Sequence, residues 1–323
     1  MKVLVTGAAG FIGSHLTEML VEKGFDVKVL VKYNSRNNWG WLETSPIKNE
    51  IEVLTGDVRD YDMVYSATKN CKAVFHLAAL IGIPYSYVSP MAYIRTNIEG
   101  TYNVLQAAKE FSLENILITS TSETYGTAQY VPIDENHPLV GQSPYSASKI
   151  GADQLAISYY RSFGLPVKLV RPFNTYGPRQ SARAIIPTII SQALNNVESI
   201  KLGNTTPTRD LTFVKDTALG FYEIFRSDNL FGEVTNISMG EEISIGSLCN
   251  LIFELMDKKC IIETEKLRIR PDKSEVERLM GNNEKIIKTT EWKPQYDLKI
   301  GLLETIEWIK NNLNVFKTDI YNV

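Results

Sequence analysis

The 323-residue chain is 44% hydrophobic and 22% charged, enough to bury a large core in two subdomains or one elaborated α/β domain. Its formal net charge of -3 provides no positive field to gather nucleic acid, so we expect no nucleic-acid partner. The three cysteines, Cys71, Cys249 and Cys260, lack metal-ligand spacing. They therefore predict no metal site and favour a reducing compartment.

The N-terminal segment resembles neither a secretory signal nor a membrane anchor. It begins with the strand-like run KVLVT and lacks a basic region followed by a long apolar stretch and a cleavage site. No run approaches the roughly 18 apolar residues of a membrane helix. We therefore expect a cytoplasmic protein with no membrane partner.

Short β-branched runs alternate with amphipathic stretches through the first half of the chain. The runs are KVLVT, VKVLV at 27–31, IEVLTG from 51, AVFHLAA from 73, NILITS from 115 and VKLVRPFN from 167. This alternation is typical of βαβ units and predicts a parallel sheet with helices on both faces.

The alternation becomes less regular after about residue 180. A helix is predicted from Pro187 to Asn195, a strand in ESIKL and a helix through VKDTALGFYEIF, followed by a closing helix, strand and helix. We predict a first domain mainly in residues 1–180 and a smaller C-terminal α/β domain mainly in 181–323, interleaved with the first.

The segment GAAGFIG stands between the first strand and the first amphipathic helix. Gly7 permits a tight turn, Gly10 lets the backbone approach a pyrophosphate, and Gly13 lets the helix pack closely on the strand. With Phe11 and Ile12, these residues form a helix N-terminus whose free N–H groups and positive dipole end favour an anion. The context predicts a dinucleotide site.

Three further positions border the same predicted site because they follow strands whose carboxyl ends line the cofactor crevice. Asp57, next to Val58, is expected to accept a hydrogen bond from an adenine amino group, although a solvated loop aspartate is the alternative. Ala78 is small enough to let a cofactor pass. His76 is interpreted as a packing residue.

The segment after the second strand is where enzymes of this kind usually distinguish NAD from NADP. An NAD-preferring enzyme usually offers an acid there, whereas this chain has Val31, Lys32, Tyr33, Asn34, Ser35 and Arg36. Lys32 and Arg36 would suit a 2′-phosphate, or they are solvated loop cations. The cofactor is predicted as NAD(P), with NAD and NADP both open.

Tyr145 and Lys149 are four residues apart on one face of a predicted helix. A nearby ammonium favours a phenolate, so Tyr145 can remove a hydroxyl proton at neutral pH. Thr121, Ser122 and Glu123 follow the preceding strand and are expected to face the same cleft, with Thr121 holding the hydroxyl.

Several motifs together resemble the extended short-chain dehydrogenase/reductase family of nucleotide-sugar epimerases, decarboxylases and 4,6-dehydratases. They are GxxGxxG, STSETYG, YxxxK, RPFNTYGPR, RDLTFVKD and RPDKSEVERL, and they span nearly the whole chain. The resemblance implies a Rossmann-type doubly wound parallel sheet with a smaller C-terminal nucleotide-sugar domain. It also implies a tightly bound, recycled NAD(P) and a homodimer.

Within that family, the residues after Thr121 separate the reactions. Glu123 resembles the glutamate with which 4,6-dehydratases remove the C5 proton, a position that is usually not acidic in 4-epimerases. Ser122 replaces the aspartate of many hexose dehydratases, as in GDP-mannose 4,6-dehydratases and also in nucleotide-glucuronate decarboxylases. YNSRNNWGWLE and IGIPYSYVSPMAYIRTNIEGT are most similar to NDP-N-acetylglucosamine 4,6-dehydratases of the legionaminic-acid pathway.

The resemblance also implies the substrate contacts. Asn174, Arg209 and Arg270 match positions that hold the nucleotide sugar, and arginine suits a diphosphate because its planar fork donates paired hydrogen bonds. Glu275 would accept from ribose hydroxyls or stabilise a helix start. A 4,6-dehydratase is expected, with a 4-epimerase, a glucuronate decarboxylase and a non-catalytic dinucleotide sensor as alternatives.

Overall fold

The computed structural model describes residues 1–195 and 198–316. The strands are Lys2–Thr6 (β1), Asp26–Lys32 (β2), Glu52–Gly56 (β3), Ala73–His76 (β4), Asn115–Thr119 (β5), Val167–Pro172 (β6), Asn174–Tyr176 (β7), Ser199–Leu202 (β8), Thr208–Arg209 (β9), Leu211–Phe213 (β10), Val234–Ile237 (β11), Ile243–Ser244 (β12) and Ile261–Thr264 (β13). The helices are Phe11–Glu22 (α1), Tyr61–Thr68 (α2), Ile83–Val88 (α3), Pro90–Tyr93 (α4), Gly100–Glu110 (α5), Pro144–Phe163 (α6), Ile185–Leu194 (α7), Val214–Arg226 (α8), Ile245–Leu255 (α9), Glu284–Thr289 (α10) and Leu298–Asn311 (α11).

A parallel sheet organises the first half of the chain. Among the described residues it has seven strands in the order β11-β6-β5-β4-β1-β2-β3. The chain winds outward from β1 in one direction and then from β4 in the other, which leaves a crevice at the carboxyl ends of these two strands. The predicted Rossmann-type doubly wound sheet is confirmed.

Both faces of this sheet are buried, which explains why its strands are continuous apolar runs. Val3 and Val5 of β1 face a core shared with α1 and α8, whereas Leu4 faces a second core shared with α2, α5 and α6. Successive strand residues point to opposite faces, so one short run supplies both cores. The two helical layers hold the carboxyl ends of the strands in place around the crevice.

Part of the second half of the chain returns to this sheet. β11 pairs with β6 in parallel, and α8 packs beside α1 on the same face. A third core instead joins α7, α9 and α11 to the parallel pair of β8 and β13. The division near residue 180 and the interleaving of the two domains stay predictions.

Within residues 1–195 and 198–316, no helix combines the length and the apolar character needed to cross a bilayer. The same residues contain no cluster of three or more His, Cys, Asp and Glu side chains placed to hold a metal ion.

Candidate active site

The glycine-rich turn after β1 is shaped by two close backbone contacts. Gly7 has φ of 73°, and a Cβ there would lie 2.7 Å from the backbone nitrogen of Ala78. A Cβ on Gly13 would lie 2.2 Å from the carbonyl oxygen of Gly7. On Gly10 the one contact within 4 Å is that same oxygen, at 3.3 Å, so the turn is open on this side. The open side is where a pyrophosphate can approach the backbone.

The start of α1 supports the same interpretation. Gly10 is its N-cap and offers no side-chain hydrogen bond, so the first backbone N–H groups keep their donor capacity. The side chains of Phe11 and Ile12 pack against the core of α7, α9 and α11. Their backbone N–H groups belong to the first turn of α1. An uncapped N-terminus with a positive dipole end fits a phosphate group.

The loop after β2 is held together by the side chain of Asn34. Its Nδ2 donates to the carbonyl oxygens of Lys32, at 3.2 Å, and Asn38, at 2.7 Å. Its Oδ1 accepts from the backbone nitrogens of Arg36 and Asn38, at 3.2 and 3.1 Å. Asn34 therefore shapes the loop, while Lys32 and Arg36 are exposed at the strand end. Direct cofactor contacts by these three residues stay predictions.

Asp57, at the end of β3, is already engaged by a neighbour. Arg59 donates from Nε to Oδ1 at 2.9 Å and from Nη2 to Oδ2 at 2.6 Å, and these bonds hold the pKa of Asp57 below its usual value. A carboxylate has about four lone-pair sites, so an adenine amino group can still share it. Val58 is buried, and the Ala78 nitrogen donates to Thr6 Oγ1 at 3.2 Å beside the glycine turn.

His76 is a neutral packing residue at the end of β4. Its Nδ1 lies 2.7 Å from Thr6 Oγ1 and its Nε2 lies 3.2 Å from Thr101 Oγ1. Burial, with a smaller contribution from the charge of Lys149, lowers the pKa of His76 to about 3. This environment agrees with the packing role expected from the sequence.

Acid unfolding is expected to report this buried histidine. The pKa of His76 is about 3 when folded and 6.5 ordinarily, so the unfolded chain binds the extra proton between these values. The stability that neutral His76 contributes is complete above about pH 6.5 and is lost as pH falls towards 3. By about pH 5, the free energy of unfolding has fallen by about 2 kcal/mol because of this group. Urea unfolding at about pH 7.5 and about pH 5 measures it.

The matched comparison for this prediction is His76→Gln. The variant is less stable at both pH values because two hydrogen bonds change, yet its loss of stability on acidification is smaller by about 2 kcal/mol. Burial also lowers the pKa of His15, to about 4, and that contribution is common to both proteins. Equal pH dependence in the two proteins would contradict the assignment.

Tyr145 and Lys149 lie on the first turns of α6. Ser143 and Ser146 form a reciprocal capping box, and Pro144 begins the helix, so the position of this end is well defined. Tyr145 is buried, and Lys149 Nζ donates to the carbonyl oxygen of Thr119 at 2.6 Å. The helix thus brings the predicted pair against the carboxyl end of β5.

The two groups have pKa values moved in opposite directions. Burial raises the pKa of the Tyr145 phenol, which a hydrogen bond with Thr121 counteracts and the charge of Glu123 reinforces. Burial lowers the pKa of Lys149, and the charge of Asp153 raises it. The hydrogen bond with Thr121 therefore favours the phenolate form of Tyr145.

Glu123 lies one residue after Ser122 in the turn that follows β5, and its charge acts on both Tyr145 and Arg209. Thr121 has extended backbone, and its Oγ1 accepts from the Glu123 nitrogen at 3.3 Å at the start of the 3-10 turn Ser122–Tyr125. Glu123 is partly buried. Burial raises the pKa of Tyr145 and the charge of Glu123 raises it further, whereas burial lowers the pKa of Arg209 and the charge of Glu123 opposes that shift. Ser122 is buried. A carboxylate is thus available beside the candidate base.

The predicted substrate residues meet at β9. Arg209 is buried, and its Nη1 donates to the carbonyl oxygens of Thr208 and Val276, both at 2.8 Å. Glu275 Oε1 lies 3.4 Å from Arg209 Nη2 and 3.4 Å from Arg270 Nη1. Glu275 joins the two arginines and follows the 3-10 turn Asp272–Ser274, so the alternative that it begins a helix is wrong.

Asn174 begins β7 in the neighbouring two-stranded sheet. Its backbone nitrogen donates to the carbonyl oxygen of Asp210 at 3.1 Å, directly after Arg209. The side chain is partly exposed. The contact of Asn174 with a nucleotide sugar stays a prediction, as do those of Arg209, Arg270 and Glu275.

Three further residues at the site have no role predicted from the sequence. Tyr93 places its ring edge-on to Tyr145, with centroids 6.2 Å apart. Asn97, in the π turn Ile94–Glu99, donates from Nδ2 to Ser148 Oγ at 2.9 Å. Gln142 Nε2 donates to the carbonyl oxygens of Lys273, at 3.3 Å, and Glu275, at 3.2 Å, which ties the loop before α6 to the segment after Arg270.

Comparison with known proteins places this geometry in a family. Residues 4–305 match the GDP-mannose 4,6 dehydratase family. A putative UDP-glucose 4-epimerase of Methanocaldococcus jannaschii is 31% identical over 315 residues, 96% of this chain and 99% of that protein. A dTDP-glucose 4,6-dehydratase of Streptomyces antibioticus is 31% identical over 316 residues, 97% of this chain and 93% of that protein.

A solved structure agrees over almost the whole length. The dTDP-glucose 4,6-dehydratase of Streptomyces venezuelae, with NAD bound, superimposes with a TM-score of 0.89 at 27% identity and covers 98% of this chain and 99% of its own. This chain therefore belongs to the GDP-mannose 4,6-dehydratase family of extended short-chain dehydrogenase/reductases, the NAD-dependent enzymes that act as nucleotide-sugar 4,6-dehydratases and 4-epimerases.

Proposed function

We propose that this protein is a nucleotide-sugar 4,6-dehydratase that converts an NDP-hexose, with NDP-N-acetylglucosamine as the first candidate, to its 4-keto-6-deoxy sugar. The observation that carries the proposal is the position of Glu123, whose charge acts on both Tyr145 and Arg209. A 4-epimerase needs no carboxylate to remove a proton from C5. The motif resemblance to N-acetylglucosamine dehydratases supports the choice of sugar.

The glycine turn and the uncapped start of α1 fit the pyrophosphate of a dinucleotide. Bound NAD(P) would supply the oxidation at C4 and the return of that hydrogen at C6. Because the overall reaction is redox-neutral, we propose that the cofactor stays bound between turnovers. The exposed cations Lys32 and Arg36 could bind the 2′-phosphate of NADP, whereas the structure of the Streptomyces venezuelae relative contains NAD.

The side chains of this protein would carry out the proton transfers of the reaction. Thr121 holds the O4 hydroxyl of the sugar and Tyr145 takes its proton, with Lys149 beside it. Once C4 is a ketone, the C5 proton is more acidic, and Glu123 accepts it. The hydroxyl at C6 leaves as water after it receives a proton, either from Glu123 or from another group by way of the Ser122 hydroxyl.

The other end of the substrate would be held by the arginine cluster. Arg209 and Arg270 donate charge-assisted hydrogen bonds to the diphosphate, and Asn174 contacts the nucleotide sugar. Glu275 already joins the two arginines, and a ribose hydroxyl can share its carboxylate. This arrangement orients the hexose towards Tyr145 and Glu123.

A 4-epimerase is the second candidate, favoured by the 31% identity to the Methanocaldococcus jannaschii protein. A panel of UDP-, GDP- and dTDP-sugars in D₂O, with NAD and with NADP, separates the reactions by product mass. A dehydratase product has lost water and carries deuterium at C5. A 4-epimer without solvent deuterium would indicate the epimerase. Release of carbon dioxide from a nucleotide glucuronate would indicate the decarboxylase, and the lack of any turnover would indicate a dinucleotide sensor.

The homodimer implied by the resemblance and the cytoplasmic location expected from the cysteines and the N-terminal segment stay predictions. Analytical ultracentrifugation at several concentrations measures the first, and fractionation of the source cells measures the second.

A further inference from the structure

A buried ion pair lies directly behind Lys149. Asp153 follows Lys149 by one helical turn on the same face of α6, and it is 1% exposed. Arg171 of β6 is 2% exposed and donates from Nη2 to Asp153 Oδ2 at 2.7 Å. None of the steps proposed above uses either residue. A buried ion pair is weak evidence of a role in stability, because desolvating two charges opposes their attraction.

Ser120 connects this pair to the end of β5. Its hydroxyl donates to Asp153 Oδ2 at 2.5 Å and accepts from Arg171 Nε at 3.1 Å. The preceding residue, Thr119, accepts the hydrogen bond from Lys149 Nζ through its carbonyl oxygen. Two side chains of α6 therefore hold consecutive residues of the strand end, immediately before Thr121.

The charge of Asp153 also acts on Lys149. Burial lowers the pKa of Lys149, and Asp153 is the group whose charge raises it again. Asp153 Oδ1 accepts no hydrogen bond from any residue that the structure describes. Part of its negative charge is therefore not compensated by a donor, and it can act on Lys149 in the preceding turn of the helix.

Other charged or titratable groups surround this region, on several elements. They are Tyr145 and Arg161 on α6, His76 on β4, Tyr93 on α4, Glu123 and Tyr125 on the turn after β5, Glu135 in the loop before α6, Arg171 on β6, Glu233 before β11 and Lys285 on α10. Of these, Glu135, Arg161, Glu233 and Lys285 line one pocket with Asp153 and Arg171. His76 is neutral because burial holds its pKa near 3. Glu123 acts on Tyr145 from the substrate side of the cleft. Asp153 acts on Lys149 from within the fold.

We propose that Asp153 is a positioning residue for the reaction, which keeps buried Lys149 protonated and, through Ser120, holds Thr121 opposite Tyr145. The inference rests on the role of Lys149 and Tyr145 in the proposed function. In this proposal, the Asp153–Arg171 ion pair supports the reaction through Lys149 and Thr121 and does not itself contact substrate or cofactor.

The test is Asp153→Asn, which keeps the shape and removes the charge. In protein labelled with ¹³C at lysine Cε, NMR follows the titration of Lys149, whose signal is assigned by its absence from Lys149→Arg. Lys149 in Asp153→Asn is expected to lose its proton about one pH unit lower than in the unaltered protein. The alkaline limb of the kcat profile is expected to move in the same direction.

Two further variants separate charge from structure. Ser120→Ala removes the link but retains the charge, so kcat falls while the Lys149 titration stays in place. Asp216→Asn removes a different buried carboxylate, which accepts from the backbone nitrogens of Gln295 and Tyr296 at 2.9 and 3.0 Å. It is expected to lower stability without moving the Lys149 titration.

An unchanged Lys149 titration in folded Asp153→Asn would overturn the proposal. If that variant does not fold, the neutral pair Asp153→Leu with Arg171→Met replaces it, since apolar replacement of a whole buried ion pair is often tolerated. A smaller downward shift of the Lys149 titration is then expected, because the positive charge of Arg171 is removed together with the carboxylate. The NMR titration needs no turnover, so a failure of the proposed function is seen separately, as the lack of any product from the sugar panel.

Discussion

Replacing Glu123 with glutamine is expected to stop the reaction after oxidation at C4. An amide has nearly the shape of the carboxylate but cannot accept the C5 proton, whereas Thr121, Tyr145 and Lys149 stay in place. The loss of 4-keto-6-deoxy product should be at least about 10²-fold, since a positioned base typically contributes 10²–10⁴-fold.

The stalled intermediate is measured by acid quench followed by reduction with borodeuteride. The 4-keto hexose that still carries its C6 hydroxyl then gains deuterium at C4, and mass spectrometry detects it. In D₂O, the variant is expected to show no exchange at C5, whereas the unaltered enzyme places deuterium there.

Glu135→Gln is the matched control for Glu123→Gln. Glu135 is also partly buried and follows the same strand, but its Oε1 accepts from the backbone nitrogen of Asn236. Turnover close to that of the unaltered enzyme is expected from this control. Full 4-keto-6-deoxy product from Glu123→Gln would show that another group removes the C5 proton.

Tyr145→Phe is expected to lower kcat by about 10²–10⁴-fold, because the O4 proton loses its acceptor. The ring remains, so packing against Tyr93 and the binding of the dinucleotide are retained. Steady-state turnover gives the rate, and the cofactor content of the purified variant is determined separately so that loss of binding is not mistaken for loss of chemistry.

The neighbouring phenol provides a control for Tyr145→Phe. Tyr93→Phe removes a buried hydroxyl that donates to the carbonyl oxygen of Gly82, a bond of the kind worth about 1 kcal/mol. Its effect on kcat should stay below about tenfold. Retention of more than about a tenth of the turnover in Tyr145→Phe would argue against the base assignment.

Several parts of this protein follow from the sequence because they depend on neighbours in the chain. Val3, Leu4 and Val5 predict a strand buried on both faces. Gly7 and Gly13 predict a turn that no side chain fits, and the close contacts there agree. The four-residue spacing of Tyr145 and Lys149 predicts one helix face, because the helical period is local.

Only the tertiary structure decided which distant segments meet. β11 joins the large sheet, Gln142 ties to the segment that carries Glu275, and Asp153 reaches Arg171 and Ser120. Asn34, in the loop predicted to border the cofactor, uses its side-chain amide to hold that loop together. Periodicity and motif spacing record local geometry, whereas these contacts depend on how layers pack and on which buried polar groups need partners, so no local pattern predicts them.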